Sequence, residues 1–102
     1  MKKTKNIENR VKAGIAFLNV VEPGWLKRIN LEKLDLGGSN TCILGEIYGD
    51  YRDVIYELGL KDETAQKLGF VEITKQGKVN RGDHPQLRPK YKLLTTAWKK
   101  ML

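Results

Sequence analysis

Thr41-Cys42-Ile43-Leu44-Gly45-Glu46-Ile47-Tyr48-Gly49-Asp50-Tyr51-Arg52-Asp53-Val54-Ile55-Tyr56-Glu57-Leu58-Gly59 is the stretch that decides the fold. At about 100° per residue, Ile43, Leu44, Ile47, Tyr48, Tyr51, Val54, Ile55 and Leu58 share roughly 140° of helix surface, the apolar face of an amphipathic helix over 43–58. Glu46, Asp50, Asp53 and Glu57 recur on another face. Gly45 and Gly49 each weaken such a helix by about 1 kcal/mol relative to alanine. They also admit a second backbone at close range, or permit a kink. Gly59 suits a C-terminal cap. Upstream, Gly37-Gly38-Ser39-Asn40-Thr41 breaks the chain and puts Ser39 where an N-cap belongs.

Working outward, residues 6–21 repeat the helical pattern. Ile7, Val11, Gly14, Ile15, Leu18 and Val21 share about 120° of surface. Pro23 and Gly24 stop that helix, because the residue before a proline avoids helical geometry. Pro23 in turn suits the first position of a short helix, Pro23–Ile29, with Trp25 and Leu26 as its apolar bulk. Leu31–Leu36 predicts a helical turn or extended segment with its leucines in the core. Asp62-Glu63-Thr64-Ala65 opens another short helix with acids at its positive end, and Leu68-Gly69 closes it. Phe70–Thr74 reads as a strand, turned by Gln76-Gly77 into Lys78-Val79. After a polar loop over 80–90, a last helix starts near Tyr91, with Tyr91, Leu94, Trp98, Met101 and Leu102 on one stripe. The reading is one globular domain, 1–102, of the α+β class and mostly α: about five short helices, with one small β-hairpin in the C-terminal third.

Composition narrows the chemistry. The chain has 102 residues with one Cys, one His and one Ser. It therefore forms no internal disulfide, no Cys-based zinc cluster and no paired-His metal motif. No apolar run has the length of a secretory signal or of a membrane span, about 20 residues. A cytoplasmic protein with no membrane role is expected. The net charge of +7 is segregated: residues 1–36 carry +4, residues 37–72 carry −4 and residues 73–102 carry +7. Basic ends flanking an acidic middle favour encounter with polyanions at the ends.

The core Cys42-Ile43-Leu44-Gly45-Glu46-Ile47-Tyr48-Gly49-Asp50-Tyr51 resembles a family of small proteins of bacteriophages, prophages and bacterial genomes, which share a Cys-Ile-Leu-Gly-x-Ile-Tyr-Gly-x-Tyr pattern. Pro23-Gly24-Trp25, Leu34-Asp35-Leu36, Leu68-Gly69-Phe70 and the closing Leu94-Thr95-Thr96-Ala97-Trp98 extend the similarity over about two-thirds of the chain. The family carries no assigned activity. The resemblance therefore implies a context, a mobile-element protein acting on host or defence machinery, and transfers no functional residue.

Cys42 begins an apolar face and lacks a nearby base, because the only His, His84, lies in a distant loop; it reads as a core residue. Ser39 lacks a Gly-x-Ser-x-Gly context and reads as a cap. The glycine-rich loop before it has the general form of an anion site but lacks the lysine of a phosphate-binding loop. Arg81-Gly82-Asp83 carries no functional reading in a cytoplasmic protein. Two constellations remain. Lys75, Lys78, Arg81, Arg88, Lys90 and Lys92 surround the hairpin and loop, and are the nucleic-acid-binding candidates. A basic hairpin after a short helix has the form of a winged helix, although residues 62–69 are too acidic for a recognition helix. Tyr91 and Trp98 read as core, with base stacking as the alternative. Glu46, Asp50, Asp53 and Glu57 are the candidates for a protein-facing surface; a solvated acidic face is the plainer reading, and a divalent cation or acid/base chemistry a further one. No catalytic residue, cofactor or metal is assigned. The expected function is a small non-enzymatic regulatory or inhibitory binding protein that contacts nucleic acid or a nucleoprotein complex through its basic C-terminal region. The alternatives are a protein–protein inhibitor using the acidic helix 43–58, and a carboxylate-dependent metal-binding enzyme. Oligomeric state is not legible.

Overall fold

Helix α1 occupies Lys2–Val21 in the computed structural model, which describes residues 2–102 and side chains from Asn6 onward. It starts four residues before the expected residue 6, and most of the apolar stripe becomes its inner face: Val11, Gly14 and Leu18 are buried and Ile7 and Ile15 half-buried, whereas Val21 is exposed. After Pro23, Gly24 turns the chain with φ 86° into a single 3₁₀ turn, Trp25–Arg28, shorter than the helix expected there. Trp25 is buried and its indole N–H donates to Asn19 Oδ1 at 2.9 Å. Leu34 and Leu36 enter the core as expected, whereas Leu31 stays 44% exposed.

The deciding stretch forms two helices instead of one: α2, Ile43–Tyr48, and α3, Tyr51–Leu58. Each glycine takes one of its two options. Gly45 admits the preceding loop: a Cβ there would lie 2.6 Å from both Asn40 Cα and the Ser39 carbonyl. Gly49 breaks the helix with φ 103°, a conformation closed to most side chains. Asp50 then starts α3 as its N-cap, its carboxylate accepting the Arg52 N–H at 2.8 Å. The expected continuous helix over 43–58 is thus corrected. The apolar residues stay in phase across the break, so Ile43, Leu44, Ile47, Tyr51 and Val54 are all buried. Ser39 is not the cap of α2. Cys42 is, its Sγ accepting the Gly45 N–H at 3.3 Å, while the Ser39 carbonyl accepts the Tyr51 N–H at 3.0 Å. Gly59 closes α3 in the left-handed conformation, as expected.

Helix α4, Asp62–Lys67, leads through Gly69 into a two-stranded antiparallel sheet: β1, Glu72–Ile73, and β2, Val79–Asn80. The strand expected from Phe70 is shorter because Phe70 and Val71 are spent on the core, both fully buried. Helix α5, Arg88–Met101, starts one turn before Tyr91, with Pro89 in its first turn. The described residues are therefore mostly helical, with five helices and a small hairpin in the C-terminal third.

Trp98 sits at the centre with no exposed surface. Its ring stacks on Phe70 at 6.1 Å and meets Trp25 edge-on at 6.2 Å; its indole N–H donates to the Gly69 carbonyl at 2.6 Å. Helix α1 crosses this point at Gly14, where a Cβ would strike the Leu68 carbonyl and lie 3.0 Å from the Trp98 ring. One turn earlier, Arg10 grips the same segment. Its guanidinium donates to the Gln66 carbonyl (2.7 Å), the Val71 carbonyl (3.1 Å) and the buried Glu72 carboxylate (3.1 Å). Gly14→Ala is expected to destabilise the protein by about 2 kcal/mol, chiefly by forcing α1 away from the Leu68 carbonyl at the end of α4 and also from the Trp98 ring. The check is a lower urea midpoint at unchanged slope; an unshifted midpoint would contradict the close crossing.

Candidate functional site

The hairpin is held onto α5 by one side chain. Tyr91 is buried, and its hydroxyl accepts the Glu72 N–H at 3.0 Å, accepts an Arg81 Nη2–H at 3.3 Å, and donates to the Asn80 carbonyl. A hydroxyl has one proton and two lone pairs, so this set uses all of its capacity. Both strands are tied to the helix in this way. The turn is closed independently: the Thr74 N–H donates to the Lys78 carbonyl at 2.8 Å, and Gly77 takes φ 80°.

This joint positions the basic side chains. Lys75, next to β1, and Lys90, on α5, line one shallow cleft with Leu87 at its floor. Arg88 and Lys92, one turn apart on α5, line a second cleft with Asp35 and Asp83. Lys78 projects from the turn. All five are exposed. The ion pairs found among the described residues, Arg10–Glu72 and Lys100–Glu8, involve none of them. Asp35 accepts the Gly37 N–H at 2.9 Å, and neither Asp35 nor Asp83 forms an ion pair with these cations among the described residues. The sixth candidate, Arg81, is separated from the set. It is partly buried, with its guanidinium carbon 5.0 Å from the Tyr51 ring centre and 5.7 Å from that of Tyr91. Base stacking by Tyr91 or Trp98 is excluded, since neither ring is accessible.

The four acidic candidates are divided by the break at Gly49. Glu46, on α2, accepts the Asn30 N–H at 2.9 Å, and Asp50 is used as the α3 cap. Asp53 and Glu57 remain exposed on α3, flanking Tyr56, which is 88% exposed. Among the described residues, no three His, Cys, Asp or Glu side chains stand close enough to hold a metal ion.

A cavity of about 690 Å³ lies between α3, the start of α4 and β2. Tyr51, Arg52, Tyr56, Asp62 and Arg81 line it, together with apolar Ile55, Leu60 and Val79. Sequence reading missed this site. Tyr51 belongs to an apolar helical stripe, and nothing local announces that Arg81, distant in sequence, packs on its ring. The Tyr51 hydroxyl and Arg81 Nε are buried without a hydrogen-bond partner among the described residues. Burial, and next the Asp62 carboxylate, push the Tyr51 phenol well above its ordinary range. Burial likewise raises the Cys42 thiol, against the lowering effect of the Gly45 N–H.

No family model, curated protein or solved structure matches this chain. No helix among the described residues is long and apolar enough to cross a membrane.

Two outcomes are expected. Tyr91→Phe removes the hydroxyl that bonds both strands to α5 and is expected to cost about 1–3 kcal/mol, with hydrogen exchange accelerating first in the hairpin; uniform acceleration would contradict the joint. Cys42 and Tyr51 are both held neutral in the fold, so the unfolded chain loses these protons first. The stability they contribute is complete below pH 9.0 for the thiol and 10.0 for the phenol, and is lost as pH rises beyond. Accordingly, at about pH 8 iodoacetamide should react with Cys42 only as fast as the protein opens, and in step with urea unfolding. Rapid labelling of native protein would contradict this.

Proposed function

We propose that this chain is a small non-enzymatic regulatory or inhibitory protein of mobile-element type, working in the cytoplasm. In this reading it contacts nucleic acid or a nucleoprotein complex through the hairpin turn and the first turns of α5. The observation that carries it is the gathering of Lys75, Lys78, Arg88, Lys90 and Lys92, exposed and without ion-pair partners among the described residues, on one hydrogen-bonded unit. The backbone that carries these cations is already ordered, so meeting a phosphate backbone orders only their side chains, and the contacts release its counterions. Such contacts confer affinity without base discrimination, because phosphates carry no sequence information. Arg81 lies outside this surface, partly buried with its guanidinium carbon against the rings of Tyr51 and Tyr91.

The test is fluorescence anisotropy with labelled duplex and single-stranded oligonucleotides across a salt series. Binding should weaken with a log–log slope of about 0.9 per phosphate contact on duplex. Lys75→Glu with Lys90→Glu should lower that slope by about two contacts' worth while leaving the fold intact. Undetectable binding at low salt, or binding indifferent to these reversals, would overturn the reading.

A second reading is favoured by the exposed Tyr56 between Asp53 and Glu57: α3 as an anchor for a basic protein partner. Asp53→Lys with Glu57→Lys separates the two. It should abolish capture of a protein partner in that case, and leave oligonucleotide binding equal or stronger in the first.

A further inference from the structure

The cavity beside β2 is independent of the basic clefts, with which it shares no lining residue. Its volume, about 690 Å³, falls within the range of small-molecule sites, about 300–1,000 Å³. Three features of its wall define an occupant. The first is Arg81. Its guanidinium carbon lies 5.0 Å from the Tyr51 ring centre and 5.7 Å from that of Tyr91, yet one Nη2–H to the Tyr91 hydroxyl is its only side-chain hydrogen bond among the described residues. A partly buried guanidinium with donors to spare is a ready partner for a planar anion. The second is the charge balance. Arg52 and Arg81 face a single carboxylate, Asp62, which leaves an excess of one positive charge. A monoanion neutralises that excess, whereas a dianion such as a phosphate monoester meets repulsion from Asp62. The third is the apolar part of the remaining surface: Ile55, Leu60 and Val79, with the Tyr51 ring in the wall and Tyr56 at the exposed rim; Ser39, Gly59 and Asn80 complete the lining. Such walls favour an aromatic body over a sugar or a peptide backbone.

We propose that this cavity is a binding site for a small aromatic monocarboxylate, its carboxylate between Arg81 and Arg52 and its ring against Tyr51, Ile55, Leu60 and Val79. Asp62 is the selectivity residue that turns doubly charged analogues away. The site is separate from the polyanion surface, so either can fail without the other.

The test is titration of naphthoate into nitrogen-labelled full-length protein, followed by amide chemical shifts. Saturable shifts are expected at Ile55, Leu60, Val79 and neighbouring Gly59. Neutral naphthalenemethanol should bind at least about tenfold more weakly, because it offers Arg81 no charge. Naphthyl phosphate should bind more weakly than naphthoate to the natural chain, and should overtake it in Asp62→Asn. Arg81 variants risk the hairpin, so Arg52→Gln serves as the second variant. Its exposed side chain makes no hydrogen bond among the described residues, and the change should weaken naphthoate by about threefold or more. Absence of saturable shifts, shifts confined to the Lys75–Lys90 cleft, or equal affinity for the alcohol would each overturn the assignment.

Discussion

The hydroxyl of Tyr91 is the joint on which the C-terminal third depends. The sheet is two residues deep on each strand and has too few ladder bonds to stand alone. What keeps it in place is a phenol on α5 that takes an N–H from β1, gives its proton to a carbonyl of β2, and takes a guanidinium N–H from Arg81. Burial of the phenol and of Glu72 makes their bond costly to lose, and the bonds to Asn80 and Arg81 are part-buried. The same group thus fixes the hairpin lysines relative to the cations of α5, and holds Arg81 against Tyr51 at the cavity wall. Two surfaces with separate chemistry hang from one oxygen.

Tyr91 can act in this way because α5 is itself immobilised. Trp98, two turns further on, is enclosed by Phe70 and Trp25, and its indole N–H is used by the Gly69 carbonyl. Helix α1 reaches this ring only because Gly14 carries no side chain, and Arg10 then secures the chain from Gln66 to Glu72. Glu72 links the two regions: its carboxylate belongs to Arg10 and its N–H to Tyr91. Rigidity therefore runs from α1 through β1 to the hairpin. The exposed cations sit on this platform, Arg88 with long contacts of 3.5 Å to the Gly82 and Asp83 carbonyls.

Much of this architecture is legible in the residues. The stripes of α1 and α5, the stop at Pro23-Gly24, the cap at Gly59 and the turn at Gly77 all follow from local rules and appear where those rules place them. What periodicity misses is informative. The break at Gly49 is invisible because the apolar residues keep their phase through it, so a wheel drawn across 43–58 looks continuous. The wheel also groups four carboxylates that the break divides. Cys42 supplants Ser39 as a cap because Gly45 draws the loop inward and brings the sulfur over its own N–H. Five of the six basic candidates are exposed where charge counting places them. Arg81 is not, since its position is set by Tyr51 and Tyr91, contacts across the fold that no local pattern encodes.

The functional account joins a charge pattern to a fixed platform. The +7 of residues 73–102 is concentrated on the hairpin and α5, where five exposed cations form no ion pair among the described residues, although Asp35 and Asp83 line the cleft of Arg88 and Lys92. The most direct measurement of that claim is the map of amide chemical shifts when a short oligonucleotide is added at low salt. The account predicts perturbations at Lys75, Lys78, Arg88, Lys90 and Lys92, with Tyr51 and the α3 helix unmoved. Perturbations centred on Asp53 and Glu57, or none anywhere, would contradict it.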